Sequence, residues 1–539
     1  MAAKNRSALL IGGGHNGLVC AFYLARAGLR VTVLERREVV GGAAVTETFH
    51  PGFRNSTASY TVSLLNPKII AEMDLARHGL RILERKVANF LPLPGGESLV
   101  VGGGRTQAEV ARFSARDAAR LDAYEGRLQA IAGLVRDLVL TTPVNMPVAG
   151  GPLETVRAWL DAASVGRRMS RLDLTARRDL LALFSQSAGD WLDGWFESDP
   201  IKAALGFDGV VGNYASPYTP GSAYVLLHHV FGGVNGKAGT WGHAVGGMGA
   251  ITQAMAEACR EAGVEIRTDC EIAEVLTAKG RATGARTHRG ETFTADVVAS
   301  NLHPKLLFES LLDPALLPAD FRERIWRYRS GSGTFRMNLA LSALPRFIGR
   351  PEPGDHLTGG IIIAPSLAYM ETAFADARRF GWSREPIVEM LIPSIVDDSL
   401  APPGAHVASL FCQHVAPRLP DGRSWDDCRE EVADLMIDTV ETWAPGFKAS
   451  VLARQIHSPL DLERKFGLVG GDIMHGALAL DQMFSARPVL GYGDYRTPIA
   501  GLYQCGAGTH PGGGVTGAPG HNAAREILAD LKGRRRPLV

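Results

Sequence analysis

No two cysteines lie close together in this 539-residue chain: Cys20, Cys259, Cys270, Cys412, Cys428 and Cys505 are scattered, with no CxxC. That spacing speaks against a disulfide framework, a zinc site and a dithiol redox pair. Charge of one sign is missing too. Lys and Arg total 57 and Asp and Glu 56, a net +1, so no global field would steer nucleic acid. No apolar run reaches about 18 residues, so no spanning helix is expected. No secretory apolar core precedes the first expected strand, and Met1 to Arg6 is short for a presequence, so a cytoplasmic protein is expected. Heptads, low-complexity tracts and internal repeats are absent. His356, His406 and His414 stand alone, without partners in metal-ligand spacing, so no metal site is expected. The run Arg534-Arg535-Arg536 reads as a solvated tail.

What is present is glycine in telling places. "SALLIGGGHNGLVCAFYLARAGLRVTVLERR" reads as strand, turn, helix, strand and acid. Gly12, Gly14 and Gly17 form GxGxxG between two apolar runs, and Glu35 closes the second. Gly12 permits the tight turn, Gly14 lets a pyrophosphate approach the helix N-terminus, and Gly17 lets helix and strand pack closely. Glu35 can accept hydrogen bonds from ribose hydroxyls. His15 and Asn16 fill the variable positions and would serve the turn or the pyrophosphate. The competing reading is a structural glycine turn in another βαβ unit. The motif alone does not separate NAD from FAD.

The chain continues with Arg36 directly after the acid and Gly41-Gly42 beyond it. This resembles the extended fingerprint of the two-dinucleotide-binding-domain flavoproteins, an α/β class with a Rossmann-like FAD domain and a discontinuous α+β substrate domain. The resemblance implies FAD contacts from Arg36, Gly41, Gly42 and position 43, where this chain has Ala43 instead of the frequent arginine. It also implies that the strand bearing Ile272 presents its backbone to the adenine.

Near the other end, "GLYQCGAGTHPGGGVTGAPGHNAAREILADLKG" reads as a strand to Cys505, a glycine loop and a helix from Asn522 to Leu531. Such a loop offers N–H groups and a positive dipole end to the flavin. Together with the N-terminal motif, "GAGTHPGGG" resembles the phytoene desaturase and carotenoid isomerase group of FAD oxidoreductases. That resemblance implies FAD as the only redox centre, with cofactor contacts at Gly506, Ala507, Gly508, Gly514 and Val515. It implies hydride transfer from a substrate C–H to flavin N5 on an apolar, polyene-like or lipidic substrate, which would bring peripheral contact with a membrane. Oxygen and quinone both stay open as electron acceptors. His510 and His475 are the candidate catalytic side chains, with Asp481 and Gln482 behind them; the competing reading of His510 is an imidazole that only bonds the loop backbone. Asp461 and Glu463, beside Arg464, read as a capping cluster.

The expected division gives residues 1–104, 240–305 and 452–539 to the FAD-binding part, and 105–239 and 306–451 to the substrate part. In the latter, Trp191, Trp195 and Phe196 could line a tunnel or simply pack helices. Three alternatives accompany the desaturase reading: a flavin amine oxidase, a flavin-assisted isomerase, and a lipid-carrying protein of the Rab GDP-dissociation-inhibitor type without redox chemistry. Intact glycine loops at both ends argue against the last.

Overall fold

The apolar run Ser7–Ile11 becomes the central strand of a five-stranded sheet. The order across it is Glu265–Arg267, Arg30–Leu34, Ser7–Ile11, Val297–Ser300 and Leu502–Gln504, all parallel. A parallel sheet is covered on both faces, which is why its inner strands read as near-continuous apolar runs. Helices His15–Arg26, Met248–Glu261 and Ala518–Leu531 pack on one face around Leu18, Ile251 and Ile527. The other face meets the antiparallel meander Ile272–Ala278, Arg281–Thr287 and Thr292–Thr294 through Ile11, Val275 and Val298. This computed structural model describes residues 6–145 and 152–533, so the Arg534–Arg536 run lies outside them.

A second, seven-stranded sheet carries the rest. Its order is Val451–His457, Phe335–Leu341, His406–Val415, Trp382–Leu391, Gly360–Ile363, Asn89–Pro92 and Ser98–Val101. Successive side chains point to opposite faces. Ile362 and Phe411 join a layer of helices that includes Ala115–Val139 and Asp199–Val210. Leu410 and Cys412 face the helix Trp425–Trp443 on the other side.

This sheet crosses the boundaries expected from sequence. Asn89–Pro92 and Ser98–Val101 fall within the first expected FAD segment, yet they complete the second sheet. Val451–His457 pairs with Phe335–Leu341, carrying that sheet past residue 452. The C-terminal helix starts at Ala518, four positions before the expected Asn522, because Pro519 fits the first turn. Trp191 and Phe196 pack against Tyr124 and Leu192 in the helical layer, the helix-packing alternative rather than a tunnel.

Among the described residues, no helix is long and apolar enough to cross a membrane. None of their His, Cys, Asp and Glu side chains form a group of three that could hold a metal ion. All six cysteines are free and buried. Spacing suggested no close pair, but the fold hydrogen-bonds Cys20 to Cys505, with Cys259 nearby. The bond to Cys505 and burial both push the Cys20 thiol well above its usual range. All three sit in the core under the first helix, so they offer no accessible thiolate for disulfide exchange.

Candidate active site

The first helix begins at Gly14 with no side-chain cap and no acidic residue in its first turn. Its leading N–H groups are therefore free for an anion. The glycines let neighbouring protein atoms close in tightly around this helix end. Gly12 has φ +93°, which favours glycine. A Cβ on Gly14 would lie 2.4 Å from Asn301 Nδ2, and one on Gly17 would lie 2.3 Å from the Gly12 carbonyl oxygen. Gly17 itself does not line the cleft; it sets how closely the helix approaches the strand.

Glu35 is buried, and both its oxygens are engaged by backbone. Gly13 N–H donates to Oε2 at 2.8 Å and Arg37 N–H donates to Oε1 at 3.0 Å. The carboxylate holds the turn as well as lining the cleft, with lone pairs left for a ribose. Glu35→Gln puts an amide N–H₂ against one of those donors. FAD affinity is expected to fall about tenfold, read by titrating apoprotein with FAD. Gly41 N–H donates to the Gly13 carbonyl at 2.9 Å, bringing the Gly41-Gly42 turn over the first loop. Ala43 and Ile272 also line the cleft. Arg36 lines it too, but its guanidinium donates to the carbonyls of Arg464 and Lys465, tying the cleft wall to the helix Pro459–Phe466.

The cleft closes at the C-terminal loop. Ala507 lines it, whereas Gly506 and Gly508 press against Asn301 and Pro304 behind the lining. Gly514 and Val515 line the adjoining cavity, both with positive φ. Arg487, fully buried, clamps this end. It donates to the carbonyls of Met474 at 2.6 Å, Ala507 at 2.9 Å and Gln482 at 3.1 Å. Buried atoms without partners face the same space: His15 Nε2, Asn16 Oδ1 and His475 Nδ1. An uncapped helix end, a carboxylate at the end of the second strand and orphaned polar atoms together fit a dinucleotide.

The description "Flavin containing amine oxidoreductase" matches residues 17–335, more than half of the chain. The chain belongs to this family. Its cofactor is FAD, and it is an FAD-dependent oxidoreductase. Pyridine nucleotide-disulfide oxidoreductase domain-containing protein 2 of Rattus norvegicus is 40% identical over 547 residues, covering 97% of this chain and 94% of the relative. The phytoene desaturase (lycopene-forming) of Pseudescherichia vulneris is 25% identical, covering 98% and 99%. The solved structure of wild-type putrescine oxidase bound to putrescine overlays with a TM-score of 0.59 at 16% identity, covering 98% and 99%. It shares the fold of this flavoprotein.

Beyond the cleft the flavoprotein holds a second cavity, between the flavin-end loop and the seven-stranded sheet. His15, Ala43, His475 and Ala507 line both spaces. The cavity together with its solvent-open mouth spans about 1100 Å³. Ala58, Leu64, Phe207, Val211, Ile473 and Met474 give it apolar walls.

His510 does not line either space. Its Nε2 meets the Leu138 carbonyl at 3.1 Å, so the ring fastens the loop to the helix Ala115–Val139. Asn522 Nδ2 fastens the C-terminal helix to the same helix through the Val139 carbonyl. Of the two candidate catalytic histidines, only His475 reaches the flavin end. Asp481 pairs with Arg329 on the surface, and Gln482 Oε1 accepts from Arg329 N–H at 2.7 Å, so neither faces the site. Asp461 forms a capping box with Ser458, and Glu463 accepts from Gly470 N–H at 2.7 Å.

Sequence reading missed Tyr60, Arg85, Asp208 and Glu389, which face the cavity from four separate stretches. Burial, and then the charge of Glu389, raise the Asp208 carboxyl from 3.8 to about 7. Burial lowers His15 to about 4 and His475 to about 3. Those imidazoles are neutral at physiological pH, whereas Asp208 passes from acid to anion as pH rises through 7. The rate of flavin reduction is expected to carry an ionisation near pH 7 that is absent in Asp208→Asn, with none from His15 or His475 between about pH 5 and 8. Stopped-flow reduction across that range checks it.

Proposed function

We propose that this oxidoreductase is a dehydrogenase that removes hydrogen from carbon in an apolar, lipidic substrate. The observation that carries the reading is the predominantly apolar cavity continuous with the FAD cleft, sharing His15, Ala43, His475 and Ala507 with it. Bound FAD would take up hydride from the substrate carbon. The protein's part is to hold the chain and exclude water: Leu64, Phe207 and Val211 would pack along the substrate, with the seven-stranded sheet as the far wall. In this reading the five-stranded sheet carries FAD and the seven-stranded sheet carries substrate. The similarity to a phytoene desaturase over nearly the whole chain supports it.

The test is anaerobic mixing of the flavin-loaded protein with polyenes, acyl-chain lipids and amines. Bleaching by a polyene or lipid, with product lighter by two hydrogens, is the expected result. Bleaching by amines alone would replace the reading with amine oxidation. Product rearranged without mass change would replace it with isomerisation. Reoxidation by oxygen or by a quinone then identifies the electron acceptor.

A further inference from the structure

The far wall of the cavity is not apolar. Glu389, Phe411 and Arg336 stand directly opposite one another on neighbouring strands, so they share one face of the seven-stranded sheet. Tyr60 lies over this row: its ring stacks on Phe411 at 5.4 Å, and the Arg336 guanidinium sits 4.3 Å from the ring centre. The Tyr60 hydroxyl donates to Glu389 Oε2. Arg85 donates to Thr61 Oγ1 and rests beside Trp241. Asp208 comes from the helix Asp199–Val210 on the other side of the cavity. Among the described residues its carboxyl has no hydrogen-bond or ion-pair partner.

These groups form a built arrangement, and two of them keep unused capacity. Arg85 has five N–H donors and gives one side-chain bond, to Thr61. Asp208 keeps all its acceptor sites. Glu389 and Asp208 supply two acidic groups, while Arg85 and the deeper Arg336 supply two positive charges. A cationic ligand would meet the Arg85 guanidinium, with the Arg336 charge behind the Tyr60 ring. An anionic one would meet the two acids. A hydroxyl meets neither difficulty, because its O–H can donate to a carboxylate while its oxygen accepts from a guanidinium.

We propose that Asp208 and Arg85, backed by Tyr60 and Glu389, form a recognition subsite for a hydroxyl group on an otherwise apolar substrate. This rests on the reading of the cavity as the substrate site of a dehydrogenase, and it adds an orientation. The substrate enters as an amphiphile, with its hydroxyl end fixed at the sheet and its apolar chain led past the flavin. Such fixing selects which carbon faces the flavin.

The experiment uses four ten-carbon probes on the full-length flavin-loaded protein: decanol, decane, decylamine and decanoate. Binding is read by calorimetry and by perturbation of the flavin spectrum. Decanol is expected to bind at least tenfold more tightly than each of the other three. Asp208→Asn and Arg85→Met are each expected to reduce that preference fivefold or more while the protein keeps its FAD, since neither residue lines the nucleotide cleft. Glu389→Gln serves as a third variant should one of these fail to fold. Equal binding of decane and decanol, tighter binding of either charged probe, or an unchanged preference in the folded variants overturns the subsite. A protein that binds no FAD, or whose flavin no lipid reduces, overturns the dehydrogenase reading instead. Calorimetry still reads the subsite in that case, because it does not depend on the flavin.

Discussion

Gly17→Ala is expected to give a protein that emerges from gel filtration without flavin. The new Cβ would sit 2.3 Å from the Gly12 carbonyl oxygen. That neighbour is backbone, so no rotamer change relieves the overlap. The first helix must move away from Ser7–Ile11, taking the N–H groups of its first turn out of line with the cleft. Overpacking of this kind costs about 1–3 kcal/mol in stability. The larger effect falls on FAD, whose pyrophosphate needs those N–H groups in place. A loss of at least about a hundredfold in affinity is expected, corresponding to about 2.8 kcal/mol. The absorbance ratio at flavin and protein wavelengths and the urea midpoint read the two effects. Gly126→Ala is the control. It lies on an exposed part of the helix Ala115–Val139 with open space around it. It should keep its flavin and gain up to about 1 kcal/mol.

Arg487→Met is expected to be the most destabilising single change at the flavin end. The guanidinium joins the segment at Met474–Ala477 to the loop at Ala507, and all its bonds go to backbone carbonyls. Among the described residues no carboxylate pairs with it. Methionine has similar bulk but donates nothing, so carbonyls at Met474, Gln482 and Ala507 lose their partner. Each buried polar group left unsatisfied costs about 1–3 kcal/mol, and a total loss of about 3–5 kcal/mol is expected. Arg487→Lys keeps the charge but has one compact head in place of a planar fork, so it should fall between the two. Urea unfolding monitored by flavin release and by circular dichroism should show flavin leaving first in both variants. A Met variant as stable as the parent would show that the two loops hold without the clamp.

The nucleotide end was legible because it is local. Strand, glycines, helix and acid follow one another from Ser7 to Glu35, and each residue type does its work within that stretch. The C-terminal loop was legible for a related reason: apolar flanks mark its strand and helix. Its details were less so, because Gly506 and Gly508 serve tight packing against Asn301 and Pro304, contacts made across the fold. From its place in the loop His510 was open to catalysis or to backbone bonding, and only the position of Leu138 reveals that its ring is used as a fastener. The strands Asn89–Pro92 and Ser98–Val101 were grouped with the FAD part because the link that carries them into the second sheet, the pairing of Asn89–Pro92 with Gly360–Ile363, spans a long stretch of sequence. The polar wall had no signal at all. Tyr60, Arg85, Asp208 and Glu389 share no motif and meet only through strand register and the approach of one helix.

The order of the five-stranded sheet has a consequence for how the protein is made. Its outermost strand on one side, Leu502–Gln504, and the helix Ala518–Leu531 that covers the first helix leave the ribosome at the far end of the message from Ser7–Ile11. Domains whose segments adjoin can fold as they emerge, but this one must wait through the synthesis of the whole seven-stranded sheet. Until then the strand Val297–Ser300 has a bare edge and the first helix an uncovered apolar face. Flavin capture is thus expected late in the making of each molecule, and the bare edge and uncovered apolar face leave the nascent chain open to aggregation for that interval.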